Sequence, residues 1–283
     1  MLKIVDRLSR LAGQFRGFQR PTEASLKPTN AQQAFDARML DGPVEMAGVC
    51  PVCGDKSWFE GFSDNVRESG TCSTCQSFNR QRQMAHAIRT RFKVGSTGPF
   101  RFPSGFVIYN TETTGALHHR LSATDGYLCS EYFGDEFLPG QDVGGRRHED
   151  LRALSFPSDS IDLVMSSDVM EHMPDPYAAH REILRVLKPG GTHIFTVPFV
   201  ATMATDQIRA KLVDGEIQYL EEKAFHGDPV RPDEGVLVWT IFGLEMFARL
   251  EALGFETAAR NLFFPDEGIV GAWSLIFEAR KSR

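Results

Sequence analysis

The clearest pattern of apolar and polar positions in this chain lies between residues 161 and 199. Apolar runs at 161–166 and 192–197 each predict a buried β-strand. Between them, apolar positions at helical spacing predict an amphipathic helix that ends at a Lys-Pro-Gly-Gly turn. Such a strand–helix–strand unit is typical of a parallel sheet. Because open parallel sheets bind ligands at the carboxyl ends of their strands, Glu171 and His172, which follow the first strand, are expected to face a site.

The rest of the chain extends this alternation of strands and helices. We predict further strands at 105–109, 127–131, 148–151 and 273–279, and helices at 76–92, 115–121 and 243–253. This order predicts an α/β fold with helices on both faces of the sheet. Residues 1–19 carry an apolar stripe at helical spacing, which predicts a helix that packs on its own domain or on a sister subunit in a homo-oligomer.

Four cysteines form two CxxC pairs, Cys50 with Cys53 and Cys72 with Cys75. Their spacing is typical of a tetrahedral zinc site with four thiolate ligands. A disulfide is disfavoured without a secretion signal, and a redox CxxC would not need a matching second pair. Four protein ligands leave no open position, so the zinc is expected to be structural. We therefore divide the chain into a helix and linker (1–45), a zinc module (46–80), a connecting basic helix (81–100) and a main domain (101–283).

Composition and charge narrow the class of partner. The chain has 283 residues, a formal net charge of −6 and 42% hydrophobic residues. Six basic and no acidic residues lie at 76–101, whereas 28 acidic and 16 basic residues lie from position 102 onward. The acidic main domain disfavours nucleic acid as the main partner, and the basic stretch keeps it as an alternative. With no apolar run of about 18 residues and no signal-peptide pattern, we expect no membrane span and a cytoplasmic location.

The 161–199 segment resembles the type 11 domain of class I S-adenosylmethionine-dependent methyltransferases. The resemblance rests on Asp162, Leu163, Val164, Glu171, His172, Asp175, Arg185, Leu187, Lys188, Pro189, Gly190 and Gly191. It implies a Rossmann-like sheet of seven strands in which the seventh is antiparallel. It also implies an enzyme that transfers a methyl group from S-adenosylmethionine.

The resemblance further implies where the cofactor binds. In the family, the first strand runs into an acidic, glycine-rich turn; here Tyr109 stands at the acidic position, and Thr111 and Thr113 stand at two glycine positions. Either the side chains of this loop bind the cofactor instead, or the site is degenerate. The candidate cofactor-binding residues are Asn110, Thr111, Glu112 and Gly115 in the loop, Glu131 for the ribose, Tyr132 for the adenine face, Asp150 and Leu151 for the adenine edge, and Ser167 and Asp168 beneath the methyl donor.

Three residues are candidates for catalysis. His172 could accept a proton from an oxygen or nitrogen nucleophile, since the unperturbed pKa of histidine is ~6.5. Its neighbour Glu171 belongs to the same signature pair, which alternatively only fixes the loop. His226 begins a His-Gly-Asp-Pro segment that either contacts a polar acceptor or forms a surface turn.

We therefore expect a methyltransferase whose acceptor is a sugar-like compound or another small polar metabolite. One alternative is an rRNA methyltransferase, because some large-subunit rRNA guanine methyltransferases also carry an N-terminal zinc knuckle. Another is a non-catalytic binding protein that lost cofactor affinity, as Thr111 and Thr113 suggest.

Overall fold

The computed structural model describes residues 18–227 and 235–283. The predicted helix at 1–19 lies almost wholly outside them, as does the Asp-Pro end of the His-Gly-Asp-Pro segment. The α-helices of the described residues are α1 (Glu23–Leu26), α2 (Asn30–Leu40), α3 (Asn79–Phe92), α4 (Gly115–Leu121), α5 (Pro176–Val186) and α6 (Glu245–Leu253). None of these helices has the length and apolar character needed to cross a membrane.

The strands are short outside one central sheet. In chain order they are β1 (Met46–Val49), β2 (Lys56–Glu60), β3 (Thr71–Cys72), β4 (Ile108–Asn110), β5 (Tyr127–Cys129), β6 (Asp142–Val143), β7 (Arg146–Arg147), β8 (Ile161–Ser167), β9 (Leu187–Thr196), β10 (Gln207–Ile208), β11 (Ala210–Val213), β12 (Glu216–Tyr219), β13 (Phe225–His226), β14 (Val236–Leu237), β15 (Thr240–Ile241), β16 (Phe255–Asn261) and β17 (Leu275–Lys281). The central sheet has the order β16-β17-β9-β8-β4-β5. Strands β5, β4, β8 and β9 run parallel, and β17 is antiparallel to both of its neighbours, as predicted for the last strand.

The described part of the sheet has six strands, so the prediction of seven is not met. The predicted strand at 148–151 contributes only an isolated parallel bridge between Glu131 and His148. The backbone of this region pairs locally instead: Gly140 N donates to His148 O and His148 N donates to Gln141 O, while β6 and β7 form a separate hairpin. Among the described residues, only two backbone hydrogen bonds connect this segment with the end of β5, from Glu131 N to Arg147 O (3.0 Å) and from Glu149 N to Glu131 O (3.1 Å), so the pairing stays limited to a bridge.

The predicted Lys-Pro-Gly-Gly turn is also corrected. These residues lie inside β9, where the register with β8 shifts between Ile161 and Leu163. Gly190 has φ 83°, which few residues other than glycine adopt readily. A Cβ on Gly191 would lie 3.0 Å from the carbonyl oxygen of Ile161. The two glycines therefore form a bulge that lets one strand continue where a turn was predicted.

The predicted amphipathic helix corresponds to α5. Its N-cap Asp175 accepts hydrogen bonds from Tyr177 N and Ala178 N, and Pro176 occupies the first turn, where its missing N–H costs nothing. Its buried face includes Tyr177 and Ile183, which join the core on one face of the sheet together with residues of α6.

The opposite face of the sheet is covered by α3, α4 and the cysteine module. Buried Cys50 and Phe59 of the module belong to the same hydrophobic cluster as Ile108 of β4 and Leu163 of β8. Alternation along β8 explains the division, because Leu163 faces this cluster and Val164 faces the other. The cysteine module is thus packed into the core of the main domain, close to the carboxyl ends of β4 and β8.

Candidate functional site

The chain changes direction across the sheet between β4 and β8. From β4 it continues to β5 on one side, and it later returns as β8 on the other side of β4. The carboxyl ends of these two parallel strands, at Asn110 and Ser167, flank the crevice in which open α/β sheets bind ligands. The loop after β4 and the end of β8, both predicted to bind a cofactor, therefore meet at one edge of the sheet.

The loop after β4 is held by specific hydrogen bonds. The amide of Asn110 donates to Glu112 O (3.1 Å) and to the hydroxyl of Tyr127 (2.9 Å). Thr111 N donates to Met165 O of β8 (3.1 Å). The hydroxyl of Thr111 is buried and has no hydrogen-bond partner among the described residues. A buried, unpartnered hydroxyl at this edge fits a loop that hydrogen-bonds a ligand through its side chains.

Glu131 holds the same loop from the side of β5. Its Oε1 accepts hydrogen bonds from Thr113 N (3.0 Å) and from the Thr113 hydroxyl (2.8 Å). The threonine at a family glycine position is therefore part of a structured loop. Gly115, which begins α4, has φ 87°, and a Cβ there would lie 2.5 Å from the Gln81 amide nitrogen. The predicted contact of Glu131 with a ribose stays a prediction.

The end of β8 is covered by two arginines that the sequence analysis did not assign to the site. Arg67 makes a bidentate pair with Asp168 (2.6 and 2.7 Å), and Arg80 donates to Ser167 and to Glu68. Arg67 lies in the 3₁₀ turn Val66–Glu68 of the cysteine module, and Arg80 lies in the first turn of α3. Arg80 belonged to the basic stretch noted in the sequence, whereas nothing around Arg67 pointed to this position.

These charges perturb the acids of the site. Desolvation opposes ionisation of Asp168, but the charge and hydrogen bonds of Arg67 outweigh it and lower the pKa of Asp168 to about 2. Loss of hydration raises the pKa of Glu112 to about 7, although Arg80, 4.0 Å away, acts in the opposite direction. Two acids at one site thus have widely separated pKa values, a property typical of functional sites.

The residues predicted to bind the adenine lie just after β5 and just after the isolated bridge at His148. Tyr132 donates its hydroxyl proton to Asp135 (2.6 Å), and Asp150 is paired with Arg152 (2.7 Å). Leu151 is buried in the hydrophobic core, so its side chain does not face a ligand. The backbone amide of Leu151 was the predicted contact, and this prediction stays open.

Glu171, His172 and His226 come together above the end of β8. The first two lie on the 3₁₀ turn Met170–His172, and His226 lies on β13. Oε1 of Glu171 is 3.4 Å from His226 Nδ1 and 3.7 Å from His172 Nε2. The contact with Glu171 raises the pKa of His226. Sequence reasoning named all three residues, but only the structure shows that they form one cluster.

The four predicted zinc ligands also form a cluster. Their Sγ atoms all lie within 4.8 Å of one another, and those of Cys50 and Cys75 are 3.7 Å apart. A tetrahedral shell with Zn–S distances of about 2.3 Å requires S···S distances of about 3.8 Å, so the thiols fit a zinc ion. Gly54 and Gln76, one residue after each pair, adopt left-handed backbone conformations that turn the chain around the cluster.

The basic stretch of α3 does not form a cationic surface. Arg82 is completely buried, and Arg89 is 6% exposed. Arg89 donates to the backbone carbonyls of Pro51 and Gly98, and Arg91 pairs with buried Glu278. Arginines committed to internal partners cannot neutralise phosphates. Of the six basic residues at 76–101 only Lys93 and Arg101 are exposed, which weakens the sequence argument for nucleic acid.

Comparison with known proteins supports the methyltransferase assignment for part of the chain. Residues 136–195 match a family model described as a methyltransferase domain. A protein of Mycobacterium tuberculosis (strain H37Rv) named as an uncharacterized methyltransferase is 54% identical over 71 residues, or 23% of this chain and 28% of that protein. A similarly named protein of Mycolicibacterium paratuberculosis is 31% identical over 126 residues, or 44% of this chain and 48% of that protein. The chain thus spans less than half the length of these relatives.

A solved structure of an S-adenosylmethionine-dependent methyltransferase from Mesorhizobium loti is also similar. It shares 18% sequence identity and a TM-score of 0.42, over 70% of this chain and 98% of that one. Similarity at this level does not bear on function. The matched family model covers β8, α5 and most of β9, together with the Glu171–His172 pair. This part of the chain is similar to a methyltransferase domain.

Proposed function

We propose that this chain is an S-adenosylmethionine-dependent methyltransferase that acts on a small polar acceptor. The observation that carries the proposal is the switch point between β4 and β8, where the polar residues expected to bind the cofactor converge. The methyltransferase-domain match over residues 136–195, which includes β8, supports it.

The residues at this edge suit the parts of the cofactor. The methionine end of S-adenosylmethionine carries a carboxylate and an ammonium group, and Arg80 and Glu112 offer the complementary charges. The unpartnered hydroxyl of Thr111 is available to the same end. Glu131 uses one oxygen for the loop and keeps the other for the ribose hydroxyls.

The cofactor supplies an electrophilic methyl group on its sulfonium, so the protein contributes mainly by aligning the acceptor with it. His172 donates its Nδ1 proton to Leu237 O (2.8 Å), because a carbonyl oxygen can only accept. Its Nε2 therefore keeps a lone pair that faces the site, as a general base requires. His226 at the open end of the cluster would contact the acceptor.

We also propose that the four cysteines hold a structural zinc ion. The cluster lies under α3, the helix that carries Arg80, and Arg67 follows β2 of the same module. The ion would thereby keep both arginines in position at the end of β8.

Calorimetry with S-adenosylhomocysteine and zinc-loaded protein tests the proposal. Glu131→Gln keeps an oxygen acceptor for Thr113 but removes the carboxylate, so binding should weaken by about 10- to 100-fold, as expected for the loss of a charged hydrogen bond. Thr113→Val removes only a loop contact, and Glu216→Ala changes an exposed residue of the β11–β12 hairpin.

Weakened binding by Glu131→Gln, with Thr113→Val and the Glu216→Ala control within a few-fold of the unchanged protein, would support direct contact of Glu131 with the cofactor. Undetectable binding by the unchanged protein would instead favour the non-catalytic alternative that Thr111 and Thr113 raise.

A further inference from the structure

The carboxylate of Glu171 is buried without a hydrogen-bond partner among the described residues. Its side chain is completely inaccessible, and neither oxygen accepts a hydrogen bond from any described residue. A buried carboxylate in this state is costly unless a cation or proton accompanies it. The groups around the carboxylate therefore determine whether a metal cation or a proton neutralises it.

The nearest groups are two imidazole nitrogens. His172 Nδ1 carries the proton donated to Leu237 O, so in the neutral ring Nε2 presents a lone pair to Glu171 Oε1 at 3.7 Å. Two lone pairs that face each other repel unless a positive charge lies between them. A backbone carbonyl that fixes the tautomer of a histidine in this way is the usual support of a metal-bound imidazole.

The third candidate ligand, His226, lies on a different element, β13. His226 Nδ1 lies 3.4 Å from the same oxygen, and all three ligand atoms lie within 4.8 Å of one another. Metal–ligand distances of about 2.1 Å imply ligand–ligand distances of about 3.0 Å in octahedral and about 3.4 Å in tetrahedral coordination. The two separations from Glu171 Oε1, 3.4 and 3.7 Å, lie within about 0.3 Å of the tetrahedral value. The two imidazole planes meet at 87°, so the rings are not stacked.

From this geometry we infer that Glu171, His172 and His226 form a binding site for a divalent transition-metal ion. Two imidazoles and one carboxylate suit Zn²⁺, Fe²⁺, Co²⁺ or Mn²⁺ and leave coordination positions open. The 44% exposure of the His226 side chain places these positions on the solvent side.

The site joins two parts of the molecule. Glu171 and His172 follow β8, while His226 lies in the β13–β14 pair, whose Leu237 supplies the carbonyl that orients His172. An ion bound here would fix this hairpin over the end of the sheet. With the ion bound, Nε2 of His172 would be a ligand and no longer the general base, and the ion would instead lower the pKa of an acceptor oxygen bound at an open position. This role, unlike the metal site itself, rests on the proposed function.

Binding of Mn²⁺ alone to the full chain tests the inference. With one equivalent of zinc loaded beforehand, the four thiolates take up the Zn²⁺ in preference to the two-imidazole site, and Mn²⁺ competes weakly for these soft ligands. Electron paramagnetic resonance of free Mn²⁺ should show one bound ion per chain. Glu171→Gln, which keeps the size of the side chain, and His226→Ala, on an exposed strand, should each weaken binding by about tenfold or more. His119→Ala, on the exposed side of α4, should not.

Circular dichroism of each variant checks that the fold is retained. If Glu171→Gln and His226→Ala both bound Mn²⁺ as tightly as the unchanged protein does, the inference would be overturned. In that case a proton shared between Glu171 and His226 would be the companion of the carboxylate. The readout needs no methyl donor, so failure of the proposed methyl transfer would leave it unaffected.

Discussion

Replacing Arg82 by methionine tests how the cysteine cluster is built into the domain. The guanidinium is completely buried and donates to Gly268 O (3.1 and 2.9 Å) and to Ser77 O, two residues after Cys75. Desolvation lowers the pKa of Arg82 to about 10, and the thiolates of the cluster act against this. A zinc ion with four thiolates has a net charge of −2, which the arginine partly neutralises.

The structure indicates the size of the effect. Methionine fills much of the space but leaves Gly268 O without the two donors of Arg82, while Ser77 O keeps the amide of Cys72. The charge of the cluster also loses its buried counterpart. Removal of one partner of a buried charge pair costs about 3–5 kcal/mol, a large fraction of the ~5–15 kcal/mol that stabilises a typical domain.

Two assays measure this loss. Urea unfolding of zinc-loaded protein gives the change in the free energy of unfolding, and competition with a chromophoric chelator gives the zinc affinity. If about 3 kcal/mol of this cost is lost from the free energy of zinc binding, the dissociation constant rises about 100-fold. We therefore expect zinc affinity to fall by up to that factor. Arg38→Met, on the exposed surface of α2, is the control. An Arg82→Met protein that binds zinc as tightly as the unchanged protein would refute the electrostatic link.

Two predictions concern pH. Arg67→Ala should raise the pKa of Asp168 from about 2, because burial is then opposed by Arg80 and the Thr196 hydroxyl without the larger contribution of Arg67; carboxyl titration by NMR measures it, and a value still near 2 would contradict the assignment. In the unchanged protein, the depressed pKa of Asp168 contributes stability above its unfolded value of ~3.9, and this contribution is lost as the pH falls toward 2. Burial lowers the pKa of His180 to about 3, so its neutral form is required in the fold, and stability should decrease below pH ~6.5 by up to about 1.4 kcal/mol per pH unit. Buried His193, whose pKa is also well below its usual value, contributes a slope of the same sign. His180→Leu should therefore remove only the His180 contribution, with a gain of up to about 3 kcal/mol at pH 4.5 relative to pH 7.5 in urea unfolding; exposed His119→Leu should leave the full slope intact, and an equally steep slope in both variants would contradict the argument.

Local patterns were sufficient for the elements between residues 161 and 199. Apolar runs predicted β8 and the second half of β9, and helical spacing predicted α5, which begins at Pro176 after the N-cap Asp175. Spacing alone also selected the four cysteines. These features depend on neighbours within a few residues, which the sequence contains directly.

The third strand and the Lys-Pro-Gly-Gly turn depended on pairing choices that local patterns do not specify. Backbone groups near His148 pair with Glu131 at the end of β5 on one side and with Gly140 and Gln141 on the other. Gly190 and Gly191 absorbed a register shift that kept β9 continuous. Whether a segment forms a full strand or a turn depends on which backbone groups remain free once the neighbouring strands have formed.

The amino-acid sequence by itself determined which residues could do chemistry here: the four cysteines, Glu171 with His172, and the polar loop after β4. Only the tertiary structure decided their partners. Arg67 and Asp168 lie 101 positions apart in the chain, and the basic stretch of α3 became buried and internally paired. A sequence does not show which partner a charged residue will have. Folding places each charge beside a particular partner and removes part of its hydration, and these two effects determine what a site can bind.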